Sequence, residues 1–363
     1  MAGLKISNVR KSFGEKLVLN NVSMHVEPGE FVALLGPSGC GKSTLLRLIA
    51  GFEGLDGGEI HLNGAAVSTA RTHVPTERRG LGMVFQSYAL WPHMSVWDNV
   101  AFALDVDRVP AAEKRKRVDQ ALESVGLQDY TQRQPAELSG GQRQRVALAR
   151  TLAARNSVIL LDEPLANLDA NLRETMQDEF RRIHRETGAT MIFVTHDQSE
   201  ALALADRVAV MMDGDLRQID TPRHLYNRPI DVDVARFIGR GSVLPVVCLE
   251  AGTGTAQVAF GGGNFTVHAP QGSASGPAEV CLRPENCLIA EETGSSIKAR
   301  VVSARYTGPN TLVSVELCDG EPCNLLATCP AEVPVSPGDE VFVQIKEGWM
   351  LPMQERSAVT ASI

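Results

Sequence analysis

The octapeptide Gly36-Pro37-Ser38-Gly39-Cys40-Gly41-Lys42-Ser43 decides the fold of the first half of this 363-residue chain. It follows the apolar run Phe31-Val32-Ala33-Leu34-Leu35 and opens Thr44-Leu45-Leu46-Arg47-Leu48-Ile49-Ala50, so a buried strand, a glycine turn and a helix are expected in succession. Glycines at these positions let backbone N–H groups curl around phosphate oxygens, and the following helix presents its positive dipole end to them. Lys42 is expected to reach the β and γ phosphates of a nucleotide, and the Ser43 hydroxyl to hold Mg²⁺. The plainer reading is a strand-to-helix turn without a ligand, and the full pattern with its flanks argues against it. Cys40 reads as a small loop filler rather than a nucleophile.

Val158-Ile159-Leu160-Leu161 has the continuous apolar character of a strand covered on both faces of a parallel sheet, and it ends in Asp162-Glu163-Pro164. Asp162 is expected to hold Mg²⁺ through water, and Glu163 to take a proton from the water that attacks the γ phosphate. The pair alone would read as two acids ending a strand; the phosphate loop changes its meaning. A second apolar run, Met191-Ile192-Phe193-Val194, leads to Thr195-His196-Asp197. Ligands of open α/β sheets collect at the carboxyl ends of strands, so His196 is read as a γ-phosphate contact rather than a satisfied surface histidine. Gly82-Met83-Val84-Phe85 delivers Gln86 to the same edge, where its amide can bind Mg²⁺ or orient water.

Leu138-Ser139-Gly140-Gly141-Gln142 stands directly before the strong helix former Arg143-Gln144-Arg145-Val146-Ala147-Leu148-Ala149-Arg150. Serine and glycines at a helix start cap it and aim free N–H groups outward, which makes a second anion site. One chain needs one cradle per nucleotide, so the second implies that two copies close around ATP. Otherwise it is an ordinary capped helix, and Arg143, Arg145 and Arg150 lie on a solvated face.

In order and spacing, these five motifs resemble the ATP-binding subunits of ABC transporters over about the first 235 residues. The resemblance implies that Phe13 stacks on the adenine, with Val18 and Thr44 also at the nucleotide. Gln86 then matches the Q-loop, Asp169 of Ala166-Asn167-Leu168-Asp169 the D-loop, and His196 the switch histidine. Ala166 departs from the serine of many relatives. ATP and Mg²⁺ are the implied ligands, and a homodimer the implied working form. By the same resemblance, the stretch from Gln86 to Val96, with Tyr88, Leu90, Trp91 and Met94, forms a groove for two transmembrane permease subunits, the alternative being plain core. A periplasmic or extracellular binding protein would be reached indirectly. Ala89-Leu90-Trp91-Pro92-His93 and the stretch from Phe237 to Pro245 look similar to ferric iron, polyamine or phosphonate importers, then sugar importers, with ferric iron favoured.

The expected fold class is α/β: a P-loop ATPase domain over 1–238, with a helical subdomain at about 87–150, then a small all-β module over 239–363. Length alone asks for more than one core. Past Asp220-Thr221-Pro222, helical periodicity gives way to short β-like runs at Ala256 to Phe260, Glu279 to Leu282, Thr311 to Leu317 and Glu340 to Ile345. With Leu282-Arg283-Pro284-Glu285, these resemble the OB-like TOBE module of importer ATPases.

The net charge is −8, and from Gly241 onward thirteen acids face six bases. No basic stripe offers itself to nucleic acid. No apolar stretch is long enough to span a bilayer and the start lacks a secretory pattern, so the chain is expected in the cytoplasm, peripheral on the inner face of the membrane. Six of seven cysteines, Cys248, Cys281, Cys287, Cys318, Cys323 and Cys329, fall in the β region without a CxxC pair. They read as buried inert thiols rather than a metal or redox site. A soluble ABC protein of translation or repair would usually carry two cassettes, and a single-site P-loop kinase would lack the Ser139 motif.

Overall fold

The computed structural model describes residues 3–166, 168–260, 263–292, 296–318 and 323–353. The chain opens with β1 (Leu4–Phe13) and β2 (Lys16–Val26), which pair antiparallel and bury alternate residues, as a sheet with one wet face must. The next strand, β3 (Phe31–Leu35), is buried at every residue. The phosphate loop leads from it into α1 (Lys42–Ala50), and β4 (Gly57–Leu62) and β5 (Ala65–Ser68) complete a four-stranded sheet in the order β2-β1-β4-β5.

Helix α1 is fixed at its far end by a residue that no motif announced. Arg79 is 4 % exposed and donates from Nη1 to the Leu48 and Ile49 carbonyls, at 2.9 and 2.7 Å. These belong to the last turn, where carbonyls lack helical partners and a cation is favoured. A side chain at Gly51 would strike Arg79 Nε at 2.4 Å, so that close approach requires glycine.

A second sheet follows the parallel logic of its apolar strands. After β6 (Leu81–Val84) come three helices, α2 (Val96–Val106), α3 (Ala111–Ser124) and α4 (Gly140–Ala153). Next are β7 (Val158–Asp162), α5 (Ala170–Thr187), β8 (Thr190–Thr195), α6 (Gln198–Leu204), β9 (Arg207–Met212) and β10 (Asp215–Asp220). The sheet order is β10-β9-β3-β8-β7-β6, and β6, β7, β8, β3 and β9 run parallel. Consequently the residues after β3, β6, β7 and β8 gather at one edge.

Helix α4 departs from expectation. It packs against α2, α3 and β6, so its arginines have no broad solvent face. Arg143, Arg145 and Arg150 are half-buried instead of solvated, and the Nε atoms of Arg143 and Arg145 are enclosed without a hydrogen-bond partner.

The second compact unit spans Arg223–Ile363, beginning earlier than the expected 238/239 boundary. Arg283 supplies a reason: its guanidinium donates to the carbonyls of Tyr226, Ala235 and Ile238, so the helical residues before 239 are bonded into this unit. Helices α7 (Pro222–Asn227) and α8 (Val232–Phe237) precede β11 (Ser242–Ala251), β12 (Thr255–Phe260), β13 (Gly263–His268), β14 (Gly276–Leu282) and β15 (Cys287–Ala290). Then follow β16 (Ile297–Tyr306), β17 (Asn310–Leu317), β18 (Asn324–Pro330), β19 (Glu340–Ile345) and β20 (Trp349–Met350). They close two five-stranded barrels, β11-β12-β13-β20-β14 and β15-β18-β17-β16-β19, over one apolar core, where a single small barrel was expected. Closure removes the unpaired edges that such short strands would otherwise expose.

Of the cysteines, Cys248, Cys281, Cys287 and Cys329 are buried, whereas Cys318 is exposed and Cys323 half-buried, so the expectation of buried thiols fails at those two. Burial, with Glu285 and Cys281 nearby, pushes the Cys287 thiol up to about 12.

Candidate functional site

The loop after β3 owes its shape to two glycines. At Gly36 a Cβ would lie 2.1 Å from the Met211 carbonyl oxygen. Gly41 has φ 105°, and a Cβ there would meet Leu19 and the Val18 carbonyl at 2.6 and 2.9 Å. Both are therefore confined to glycine, and Val18 backs the loop through its carbonyl. Lys42 is 5 % exposed and donates to the carbonyls of Gly36 and Pro37 at 2.8 and 2.9 Å, holding a cation inside the turn. Pro37, Ser38 and Gly39 form its exposed crown. Cys40 is 4 % exposed and its thiol is raised by burial, in keeping with a filler.

The acidic pair sits where β7 ends. Burial first, then the Glu163 carboxylate, push the Asp162 carboxyl above its ordinary value; Arg47, a hydrogen bond from Ser43 and Lys42 pull it back. Ser43, in the first turn of α1, and Asp162, at the end of β7, two of the three expected metal ligands, thus stand close enough to influence each other. Glu163 lies between the other two edge residues. Gln86 Nε2 is 3.5 Å from one carboxylate oxygen, and His196 Nδ1 is 3.3 Å from the other. Its φ of 43° is a left-handed conformation uncommon for a side-chain-bearing residue. The Glu163 amide donates to the Val194 carbonyl at 3.1 Å, which ties that turn to the strand carrying His196.

A buried network outside the motifs holds the His196 turn. Thr195 Oγ1 donates to Glu200 at 2.6 Å and accepts from the Asp197 amide at 3.0 Å. Arg173 of α5 lies 3.4 Å from Glu200 and 3.6 Å from Asp197. Arg173 thereby ties α5, the helix that follows the D-loop, to α6, the helix that follows the histidine, while Asp169 caps α5 by accepting from the Leu172 amide at 3.0 Å. Asn167 of that loop lies outside the described residues. Glu200 carries the wrong sequence signal, an acid inside an amphipathic helix, and reading alone passes over it.

At the start of α4, Ser139 forms a capping box with Gln142. The Gln142 amide donates to Ser139 Oγ at 3.3 Å, and the Ser139 amide to Gln142 Oε1 at 2.9 Å. The cap expected from the sequence is present, but these two donors are engaged within the chain instead of being free. Gly140 and Gly141 face Leu168 and Leu172; a Cβ at Gly141 would lie 3.0 Å from Leu172.

The segment after Gln86 is held in strained backbone, with φ of 65° at Tyr88 and 49° at Ala89. Arg150 of α4 donates to both carbonyls, at 3.2 and 2.8 Å, and lies 5.2 Å from the Trp91 ring. Asn99, fully buried, donates to the carbonyls of Trp91, Met94 and Ser95 and accepts from the Trp91 amide. Tyr88 is buried, so that part of the expected groove is core, whereas Leu90, Trp91 and Met94 stay half-buried, with the Trp91 ring 4.1 Å from that of Phe102. Phe13, 48 % exposed beneath the Lys11 ammonium at 5.1 Å, keeps an open ring face.

A parallel sheet with a phosphate loop, acidic strand end, glutamine and histidine at one edge defines a nucleoside-triphosphate hydrolase of the ABC class. Residues 19–166 match the ABC transporter family, and 280–352 match the TOBE domain. The spermidine/putrescine import ATP-binding protein PotA of Marinobacter nauticus is 46 % identical over 87 % of this chain and 85 % of its own length. The sn-glycerol-3-phosphate import ATP-binding protein UgpC 2 of Agrobacterium fabrum is 42 % identical over 95 % and 91 %. A dimeric post-hydrolysis structure of the ATP-binding cassette MJ0796, bound to ADP and Pi, is 33 % identical with a TM-score of 0.54 over 61 % of this chain and 99 % of its own. The chain belongs to the ATP-binding subunits of ABC importers that carry a TOBE domain. Ferric iron, the cargo favoured from the sequence, gains no support from these relatives.

Proposed function

We propose that this chain is the ATP-hydrolysing subunit of a binding-protein-dependent importer of a small organic solute, polyamine first and sugar second. The observation that carries the hydrolytic part is Glu163, held between Gln86 and His196 at the end of β7, beside the phosphate loop. In this reading Glu163 accepts a proton from the attacking water, and His196 and Gln86 orient water and the γ phosphate. Lys42 and the backbone N–H groups of the loop 36–44, Pro37 excepted, bind the phosphates, and Phe13 stacks on the adenine. Ser43, Asp162 and the Gln86 carbonyl offer oxygen ligands, and the half-buried Asp162 carboxyl beside Ser43 supports their fitness for a hard cation. Mg²⁺, when bound there, would neutralise phosphate charge.

Ser139, Gly140, Gly141 and Gln142 then grip the γ phosphate bound to a second copy, with Asp169 at that junction, so that ATP closes a homodimer. Closure is passed to two permease subunits that dock along Gln86 to Val96 at the inner membrane face. Among the described residues no helix is long and apolar enough to cross a bilayer. Sedimentation tests the dimer: a Glu163→Gln chain with MgATP should pair, and the added change Ser139→Arg should leave it single. Pairing that survives Ser139→Arg removes the signature from the reading. Cargo is tested in proteoliposomes holding the permease, where spermidine-loaded binding protein should stimulate ATPase; stimulation by a sugar instead selects the second cargo.

A further inference from the structure

A cleft of about 240 Å³ opens in the second unit. Arg223, Arg228 and Arg283 line it, with His224, His268 and the Trp349 ring, and Glu347 is the one carboxylate in that lining. Three guanidinium groups and one carboxylate thus share its lining, whereas over residues 223–363 as a whole acids outnumber bases fifteen to ten. Such a concentration inside a concave wall focuses a positive potential.

Two of the cations are held in place before any ligand arrives. Arg283, 4 % exposed, donates to the Tyr226 carbonyl at 2.9 Å and to that of Ala235 at 3.0 Å, so it stands as a fixed charge in the floor. The Arg228 guanidinium lies 5.4 Å from the Trp349 ring centroid, and the Trp349 indole is itself anchored by donating to the Pro229 carbonyl at 3.1 Å. At the exposed rim, Arg223 and His268 can reach a ligand with donors from other directions, and Asn227 adds an amide. A tetrahedral dianion accepts such donors from several sides at once, where a planar carboxylate presents one face. The volume is that of roughly eight waters, below the range of roughly 300–1,000 Å³ usual for larger ligands. That fits a phosphate head with a short chain.

We propose that this cleft binds a phosphomonoester dianion, independently of the nucleotide site and of the importer reading. The phosphate could be carried by a free metabolite or by a lipid headgroup, and the test separates them. In the full-length chain carrying Lys42→Ala, which weakens the phosphate loop, calorimetric titration uses inorganic phosphate and methyl phosphate as probes. Co-sedimentation in parallel uses phosphatidylcholine vesicles with and without phosphatidic acid. Adding Arg223→Gln and Arg228→Gln, both exposed, should weaken binding at least about tenfold, whereas Glu347→Gln should tighten it. Binding of the free probes identifies a soluble ligand; binding of phosphatidic acid vesicles alone identifies a lipid. No binding of either kind, or binding untouched by the two arginine changes, overturns the proposal.

Discussion

Two helices of the first unit begin at glycine-rich turns, and they begin differently. Helix α1 starts at Gly41 in a left-handed conformation with no side-chain cap, and its lysine is folded back onto the Gly36 and Pro37 carbonyls. Helix α4 starts at Ser139 with a complete capping box, so its serine hydroxyl and one of its first amides already satisfy each other. The first turn leaves its opening amides without a side-chain cap, although its lysine must release the Gly36 and Pro37 carbonyls to reach a phosphate. In the proposed reading the second must exchange a capping bond for an external one, a contact made only when a partner presents a γ phosphate.

The strongest way to break this contrast is at Glu163. Replacing it with glutamine should lower ATP turnover at least about a hundredfold while nucleotide binding persists, measured by phosphate release and equilibrium binding; full turnover would take the carboxylate out of the proton transfer. Next comes Lys42→Ala, expected to weaken nucleotide affinity by about tenfold or more, because a charge-assisted contact is lost from α1. Equal affinity would mean that the uncapped turn is not the cradle. Ser139→Ala should remove a helix cap worth about 1 kcal/mol, seen as a lowered unfolding midpoint in denaturant. Its single-chain nucleotide affinity should stay unchanged, and a drop in that affinity would erase the distinction between the two turns. The smallest effect concerns the second unit. Iodoacetamide at neutral pH should label the exposed Cys318 well before Cys287, whose thiol is pushed up to about 12 and carries almost no thiolate there. Equal rates, read by mass spectrometry, would contradict the packing of that barrel.

Much of the site was legible because its chemistry is local. Glycines that must adopt positive φ, a lysine and a hydroxyl at fixed offsets, and acids at the end of an apolar strand each carry their reason within a few residues. Four strands of the β region, β12, β14, β17 and β19, were also found, with Glu340–Ile345 matching β19 from end to end. Arg79, Asn99, Arg150 and Glu200 were not legible, since each satisfies backbone or side-chain groups that the chain order leaves undefined. Arg150 was read as solvated because charge on a helix usually is; packing of α4 on α2 and α3 reversed that.

By itself, the sequence determined the alternation of buried strands and helices, the glycine turn after β3 and which polar side chains stand at the strand ends, because propensity and spacing act at short range. Only the tertiary structure decided that Gln86, Glu163 and His196 meet, that the C-terminal strands close two barrels rather than one, and that three arginines converge on a cleft. Those outcomes depend on which strand lies beside which, and strand order is set by burial and edge pairing across the whole sheet rather than by any single stretch of chain.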